Sequence, residues 1–493
     1  MDMQRYLAID LGAESGRAVV GTLADGKLAL DEIHRFPNGP VPVRGTLHWD
    51  ILGIYKNILD ALNIYTQRFG ESVEGIGVDS WALDFGLLDQ YGSLLQNPIC
   101  YRDKRTQGMD EEVLARLPER DLFDHTGLPV VPIYTLYQLL SLQLNQPALL
   151  GSASSLLLIP DLLAHFLGGG KRCERTIAIT TQLYDPRAGD WSGSLFDVFD
   201  LPKALMPELC DPGTVLGELD DSVKEATGLR KGWVVAPCSH DTGSAVSAAP
   251  GRGDDWAFIS SGTWSVLGVM IDEAITSDAA FEAKVCNELA AGGLFVCRNI
   301  MGLWLLQQAR AAWIRQGESY SYPDLVQLAV EAPAGGPLLN VDDASFLAPP
   351  DMTRAMAEYC RQTGQTPPAS AGTTARCILE SLALTYRHGL EQLRGMANRP
   401  LNVIHVVGGG SQNAALCQLT ADATGLPVVA GPKPATAAGN LLVQAMARGA
   451  VSSHEEIREV VRRSTDLVEY EPKNTAYFDD RYGDYLGLLS PHT

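Results

Sequence analysis

Near the middle of the chain, an apolar approach from Trp233 to Pro237 leads into Ser239-His240-Asp241-Thr242-Gly243. An acid so placed can accept the proton of an alcohol and aim the oxygen at a phosphoryl group. On pattern alone it reads more readily as the N-cap of the Ala-rich stretch that follows. Two further strings share a pattern: Asp10-Leu11-Gly12-Ala13-Glu14-Ser15-Gly16-Arg17-Ala18-Val19-Val20 and Phe258-Ile259-Ser260-Ser261-Gly262-Thr263-Trp264-Ser265-Val266. Each reads as strand, glycine turn, strand, and Gly12 and Gly262 fall 250 positions apart. Small-residue turns can cup a phosphate with consecutive backbone N–H groups. Gly12, Ser15 and Gly16 allow this in the first turn, Gly262 and Thr263 in the second. Taken singly, Gly and Ser fill tight turns everywhere; the recurrence in one local context is what points to function. Asp10, at the lip of the first turn, either caps that turn or holds Mg²⁺ through water. Val403 to Val407 runs into Gly408-Gly409-Gly410. Those glycines let backbone approach a flat base or a phosphate, or simply start a helix. No Gly-x-Gly-x-x-Gly and no Gly-Lys-Ser/Thr is present, so dinucleotide and P-loop readings fail.

The elements that must hold these residues alternate. Tyr6 to Asp10 and Ala18 to Leu23 read as a hairpin, and His34 to Gly45, rich in Pro and Gly, as a loop. Ile51, Ile54, Tyr55, Ile58, Leu59, Leu62 and Tyr65 make one apolar helical face. Gly75 to Asp79 and Phe85 to Asp89 read as strands, Leu136 to Leu144 and Leu156 to Gly170 as helices, and Cys173 to Tyr184 as strand. Small residues, glycines and charges from Ala248 to Asp255 mark a junction. Beyond it, Asn299 to Trp313 and Thr373 to Leu393 read as helices. Val403 to Val407 and Val428 to Ala430 follow as strands, with a small-residue helix from Pro434 to Arg448. Strands alternating with helices imply an α/β fold. At 493 residues the chain needs more than one core.

A net charge of −21 argues against nucleic acid as a partner, because a phosphate backbone needs a basic footprint. Nine Cys, an odd number without any Cys-x-x-Cys, lack the spacing of a zinc site or a disulfide framework. A reducing, cytoplasmic compartment is expected. Asp10 interrupts the first apolar run, so no signal peptide is read. No apolar run approaches the ~20 residues a membrane helix needs, so no membrane partner is expected.

Together these strings resemble the FGGY family of carbohydrate kinases, in the actin-like ATPase superfamily. The likeness covers nearly the whole chain. Besides the pieces above it rests on Gly77-Val78-Asp79-Ser80-Trp81-Ala82-Leu83-Asp84-Phe85, Tyr101-Arg102-Asp103, Asn299-Ile300-Met301-Gly302-Leu303-Trp304-Leu305-Leu306-Gln307 and Gly408-Gly409-Gly410-Ser411-Gln412-Asn413. The resemblance implies two actin-like, ribonuclease H-like lobes with a cleft between them. Residues 1–247 would form the sugar-binding lobe and 248–493 the nucleotide-binding lobe. The Asn-Ile-Met-Gly-Leu-Trp and His-Asp-Thr strings narrow it to members acting on L-rhamnulose, a small-molecule ketose phosphorylated by ATP at its C1 hydroxyl. By the same likeness Asp241 is the catalytic base, and Ala82, His240, Thr242 and Asn299 line the sugar pocket with it. Ala13, Glu14, Ser15, Gly16, Arg17, Thr263, Gln307 and Gly410 contact ATP, and Asp10 helps hold Mg²⁺. Two positions depart from the family pattern. Glu14 stands where Ser or Thr is common, and Ala82 where relatives carry Gly. Another ketose, such as L-fuculose or xylulose, and a regulator that binds ATP and sugar without transfer are the competing expectations.

Overall fold

The computed structural model describes residues 3–489. Its contacts group into two compact units. One takes the chain as far as Ala248, then Ile271–Val296 and Ala435–Ser464; the other takes Ala249–Met270, Cys297–Pro434 and the chain from Thr465 on. The expected division at 247/248 follows chain order. The contacts instead assign two segments of the second half to the first unit.

In the first unit a six-stranded sheet runs in the order Val215–Glu218, Trp233–Val235, Gly75–Ser80, Gln4–Leu11, Ser15–Ala24, Lys27–Pro37. The last two strands continue Gln4–Leu11 antiparallel, while Gly75–Ser80 lies parallel to it with Asp10 opposite Asp79. Apolar side chains fill these central strands: Leu7, Ile9, Ile76 and Val78 are buried. The helix Ile51–Phe69 buries Ile51, Ile54, Ile58, Ala61, Leu62 and Tyr65, the three- and four-residue spacing of one helical face. Asp50 caps it by accepting the Gly53 N–H. The helix Ala435–Ala447, which the chain reaches almost 200 residues after leaving this unit's main stretch, also packs on the strand Gln4–Leu11. It crosses the short helix Asp241–Ser247 closely: a Cβ on Gly439 would lie 1.9 Å from the Ser244 carbonyl oxygen.

In the second unit the strands Trp264–Met270, Trp256–Ser261, Val403–Val407, Val428–Ala430 and Val468–Tyr470 are neighbours in that order. The first two form an antiparallel hairpin, and Val403–Val407 runs parallel to Trp256–Ser261. The motif of the first unit is thus repeated: a hairpin with a parallel strand beside its first arm. The long helix Ala371–Ala397 buries Ile378, Leu379, Leu382, Tyr386, Leu390 and Leu393.

Four segments differ from the sequence reading, for local reasons. His34 to Gly45 is not a loop. The strand Lys27–Pro37 runs through its start, and a hairpin of Pro40–Val43 with Thr46–Trp49 follows. Edge position tolerates the polar and proline residues that suggested a loop. Leu156 to Gly170 divides into the strand Ser155–Leu158 and the helix Ile159–Phe166, with Pro160 in the first helical turn where its missing N–H costs nothing. Cys173 to Tyr184 keeps strand at its two ends alone, in Arg172–Glu174 and Tyr184–Asp185. Between them Thr180 and Thr181 donate their hydroxyls to the carbonyls of Ile177 and Ala178, at 2.7 Å each. Those local bonds favour the short helical turns observed. Asn299 lies on the strand Gly293–Met301, and the helix expected there begins only at Trp304.

Candidate active site

The first glycine turn is drawn tight by its own backbone. Leu11 pairs with Gly16 and Asp10 with Arg17 across the hairpin, and the Gly12 N–H donates to the Ser15 carbonyl at 2.9 Å. Asn38 holds the turn from the end of the third strand. Its side-chain amide donates to the Gly12 carbonyl at 2.8 Å and its backbone N–H to the Glu14 carbonyl at 3.0 Å. Ala13 and Ser15 are half-buried, Gly16 is buried and Glu14 is exposed. Asp10 is buried at the strand end. Arg17 donates Nε and Nη2 to its Oδ2 at 2.8 and 2.5 Å, so this guanidinium is committed to Asp10.

Asp79, fully buried beside Asp10, accepts the Asn440 side-chain N–H at 2.6 Å through Oδ2. Its Oδ1 has no hydrogen-bond partner among the described residues. Burial, and then the negative charges of Asp10 and Asp241, hold the Asp79 carboxyl well above the ordinary range. Gln444 steadies Asn440, donating to its Oδ1 at 2.5 Å and to the Leu7 carbonyl at 3.1 Å.

Asp241 begins the helix Asp241–Ser247, and the residues before it are fastened on two sides. The Ser80 N–H donates to the Ser239 carbonyl at 2.9 Å. Buried Glu174 receives the Ser239 N–H at 2.8 Å, the Thr176 N–H at 2.8 Å and the Thr176 hydroxyl. That hydroxyl in turn accepts the His240 N–H at 3.2 Å. Burial pushes the Glu174 carboxyl up to about 7, against the pull of these hydrogen bonds.

His240 stands between two acids. Its Nε2 is 3.5 Å from Asp241 Oδ1 and its Nδ1 3.4 Å from Glu288 Oε2. Burial alone would favour the neutral ring; the carboxylates of Glu288, Asp241 and Glu174 outweigh it and raise the His240 pKa above its usual value. Burial also raises Asp241, with Asp10 adding to the shift and His240 opposing it. The Asp241 side chain remains 35% exposed, and the Thr242 hydroxyl donates to it at 3.2 Å. A carboxylate with heightened basicity and an open face is suited to take a proton from an alcohol.

The second unit repeats the tight turn. Ser261 pairs with Ser265, and the Gly262 N–H donates to the Trp264 carbonyl at 2.9 Å. Thr263 donates its hydroxyl to Gln307 Oε1 at 3.2 Å, and the Gly262 and Thr263 carbonyls accept the N–H groups of Leu303 and Trp304 at the start of the helix Trp304–Arg315. Gly408 adopts φ 83°, open to glycine at little cost, and a Cβ on Gly410 would lie 2.0 Å from Ser261 Oγ. Asn413 then caps the helix Ala414–Thr424 by accepting the Leu416 N–H at 3.0 Å.

Of the residues singled out from sequence, Asp10, Ala13, Glu14, Ser15, Gly16, Arg17, Ala82, His240, Asp241 and Thr242 belong to the first unit. Thr263, Asn299, Gln307 and Gly410 belong to the second. Within the first, Asp10, Arg17, His240 and Asp241 form one charged cluster. Sequence reasoning missed Glu174, Glu288, Asp79 and Asn440. Glu288 and Asn440 come from the two segments that join this unit late in the chain.

Residues 5–247 match the N-terminal domain, and residues 257–448 the C-terminal domain, of the FGGY family of carbohydrate kinases. The chain belongs to that family. Similarity to individual members runs end to end. A rhamnulokinase of Bacteroides thetaiotaomicron is 40% identical over 97% of this chain and 98% of its own. One of Enterococcus faecalis is 39% identical over 99% and 98%. Among solved structures, a ligand-bound xylulose kinase of Lactobacillus acidophilus matches with TM-score 0.81 at 16% identity, over 98% of this chain and 97% of that one. A glycerol kinase of Plasmodium falciparum with ADP matches at 0.76 and 16%, over 99% and 97%. These likenesses place both units of this FGGY kinase in the actin-like fold. In FGGY terms the paired glycine turns are the repeated hairpin of the two actin-like lobes, and Asp241, partly exposed, shares a charged cluster with Asp10 of the first.

Proposed function

We propose that this carbohydrate kinase transfers the γ-phosphoryl group of ATP to the C1 hydroxyl of L-rhamnulose, giving L-rhamnulose 1-phosphate and ADP, as a cytoplasmic step of L-rhamnose breakdown. The observation that carries the reading is the full-length similarity to rhamnulokinases.

The residues support a division of labour. Asp241 takes the C1 hydroxyl proton; its raised pKa makes it a stronger base than an ordinary carboxylate, and its exposed face admits the alcohol. His240, Thr242, Ala82 and Asn299 line the sugar pocket. The turn from Ala13 to Arg17 cups phosphate through backbone N–H groups. Exposed Glu14 is there a backbone contributor, since an acid side chain repels polyphosphate. Thr263, Gln307 and Gly410 receive the nucleotide. Residues 1–247 would then bind the sugar and carry the first phosphate turn, and residues 248–493 would receive the nucleotide.

No group of three or more His, Cys, Asp or Glu that could hold a metal occurs among the described residues. Mg²⁺ does not need one, since it keeps its waters and takes one or two carboxylates plus substrate phosphates. Asp10, with the unpartnered Asp79 Oδ1 beside it, fits that role. The ion, when bound, neutralises charge on the phosphate oxygens.

All nine cysteines are buried, and a reducing compartment suits a chain so rich in interior thiols. No helix of the described residues is long and apolar enough to cross a membrane. ADP release measured across L-rhamnulose, L-fuculose and xylulose tests the reading. Highest kcat/KM on L-rhamnulose is expected. A higher value on another ketose would reassign the substrate, and binding of sugar and ATP without ADP release would make the protein a regulator.

A further inference from the structure

Between the strand Gly75–Ser80 and Phe85 the backbone takes an unusual path. Leu83 has φ 82°, a region a leucine rarely enters. The Asp84 N–H donates to the Ala82 carbonyl at 3.0 Å. That is a three-residue γ-turn of the rare, strained kind, centred on Leu83. Glycine would fit the position without cost, yet leucine occupies it. Strain of this sort persists only where surrounding contacts over-determine the backbone.

Here they do. The Leu83 carbonyl accepts the Thr135 hydroxyl at 2.7 Å and the Gln138 amide at 3.4 Å. Asp84, 1% exposed, is saturated with donors. Its Oδ2 receives Trp49 Nε1 at 2.6 Å, Trp81 Nε1 at 3.1 Å and the Tyr101 backbone N–H at 3.1 Å. Its Oδ1 receives Gln138 Nε2 at 3.0 Å, and Arg105 fixes the far end of that amide at 2.5 Å. Trp49 and Trp81 pack with ring centroids 4.3 Å apart. One buried carboxylate therefore ties together the Trp49 strand end, the Trp81–Asp84 turn, the Tyr101-Arg102-Asp103 string and the helix Thr135–Asn145. Ala82 and Leu83 stay half-buried while both their flanks are fully buried, so the locked turn offers these two residues outward.

We propose that the Leu83 γ-turn, clamped by Asp84, is a specificity-positioning device that fixes Ala82 at the wall of the sugar site. The inference rests on the reading that Ala82 lines that site. A backbone wall that cannot relax discriminates between hydroxyl epimers, because the wrong epimer meets it with an unpaired or clashing group. A compliant wall would accommodate both.

Leu83→Gly tests this, because glycine takes the positive φ without strain, which offsets the loss of a half-buried side chain. Steady-state kinetics on L-rhamnulose and on L-fuculose, with KM for ATP and melting temperature alongside, give the readout. The melting temperature is expected to hold or rise. KM for ATP is expected to stay within twofold. The preference for the better ketose should shrink by roughly tenfold or more, the scale on which small misplacements in a site are felt. Thr135→Ala, which removes one tie to the Leu83 carbonyl, should shift the preference in the same direction by less. A stable Leu83→Gly enzyme with unchanged preference overturns the proposal, as does a proportional loss on all sugars and ATP together. If the parent enzyme favours a ketose other than L-rhamnulose, the substrate assignment falls. The Leu83 test then stands on the ratio between that ketose and its epimer.

Discussion

Asp241 is the proposed base, and two outcomes follow from its surroundings. Asp241→Asn keeps the shape and the Thr242 contact geometry but cannot accept a proton. Its kcat should fall by about 10²–10⁴-fold, while calorimetric affinities for sugar and ATP remain near those of the parent. Wild-type turnover in the Asn variant would remove Asp241 from the base role. The second outcome concerns pH. Burial and Asp10 disfavour the charged carboxylate, so the base is protonated, and idle, to a higher pH than an ordinary Asp with a pKa of ~3.9. The acid limb of kcat/KM should therefore lie above that value and move down when His240, which opposes the shift, is left in place but Asp10 is changed to Asn. At this scale the sequence was legible where the candidate site is built from contiguous strings. Ser239 to Gly243 and both glycine turns could be found by eye. Glu174, Glu288 and Asn440 could not. Each is an ordinary polar residue with a partner in the Asp79 or Ser239–His240 segments that lies 48 or more positions away, and no local spacing announces such a pairing.

At the scale of elements, the hairpins, the helix Ile51–Phe69 and the helix Ala371–Ala397 followed from periodicity, because one buried face repeats in the sequence. The segments that misled were those in which side chains bond their own backbone, as Thr180 and Thr181 do. Packing between elements gives a sharper test. Gly439→Ala would drive a methyl into the Ser244 carbonyl, so the helices Ala435–Ala447 and Asp241–Ser247 must part. Thermal or urea unfolding should show a loss of about 1–3 kcal/mol, the usual cost of overpacking. Gly395→Ala, in the helix Ala371–Ala397 with nothing within 4 Å, should instead gain a few tenths to about 1 kcal/mol. Equal effects at the two glycines would contradict the close crossing. Glu174 adds a pH term. Its carboxyl titrates at about 7 in the folded protein against ~4.3 when exposed. The folded state then holds the proton more tightly, so this group's contribution to stability is full below pH ~4 and is lost as pH rises towards 7. The unfolding free energy of Glu174→Gln should decline less over that window than that of the parent. An identical slope would show that Glu174 does not titrate there.

For the whole molecule, the doubling of one hairpin motif was visible in the sequence as two strings 250 positions apart. The routing of the chain was not, since it depends on which distant segments pack together. Ile271–Val296 brings Glu288, and Ala435–Ser464 brings Asn440 and Gln444, into the first unit. Residues 1–247 made alone should therefore fail to give a cooperative, protease-resistant fold, although residues 5–247 match the family's N-terminal domain by sequence. A sharp unfolding transition for that fragment, near that of the parent, would show that the late segments are dispensable. Their lateness has a consequence for synthesis. The helix that covers the first sheet and anchors Asp79 is translated only after the greater part of the second unit. At ~5–20 residues per second, the common order of folding from the N-terminus is suspended here. If the late segments are required, the sheet stays unroofed for roughly ten seconds or more of synthesis.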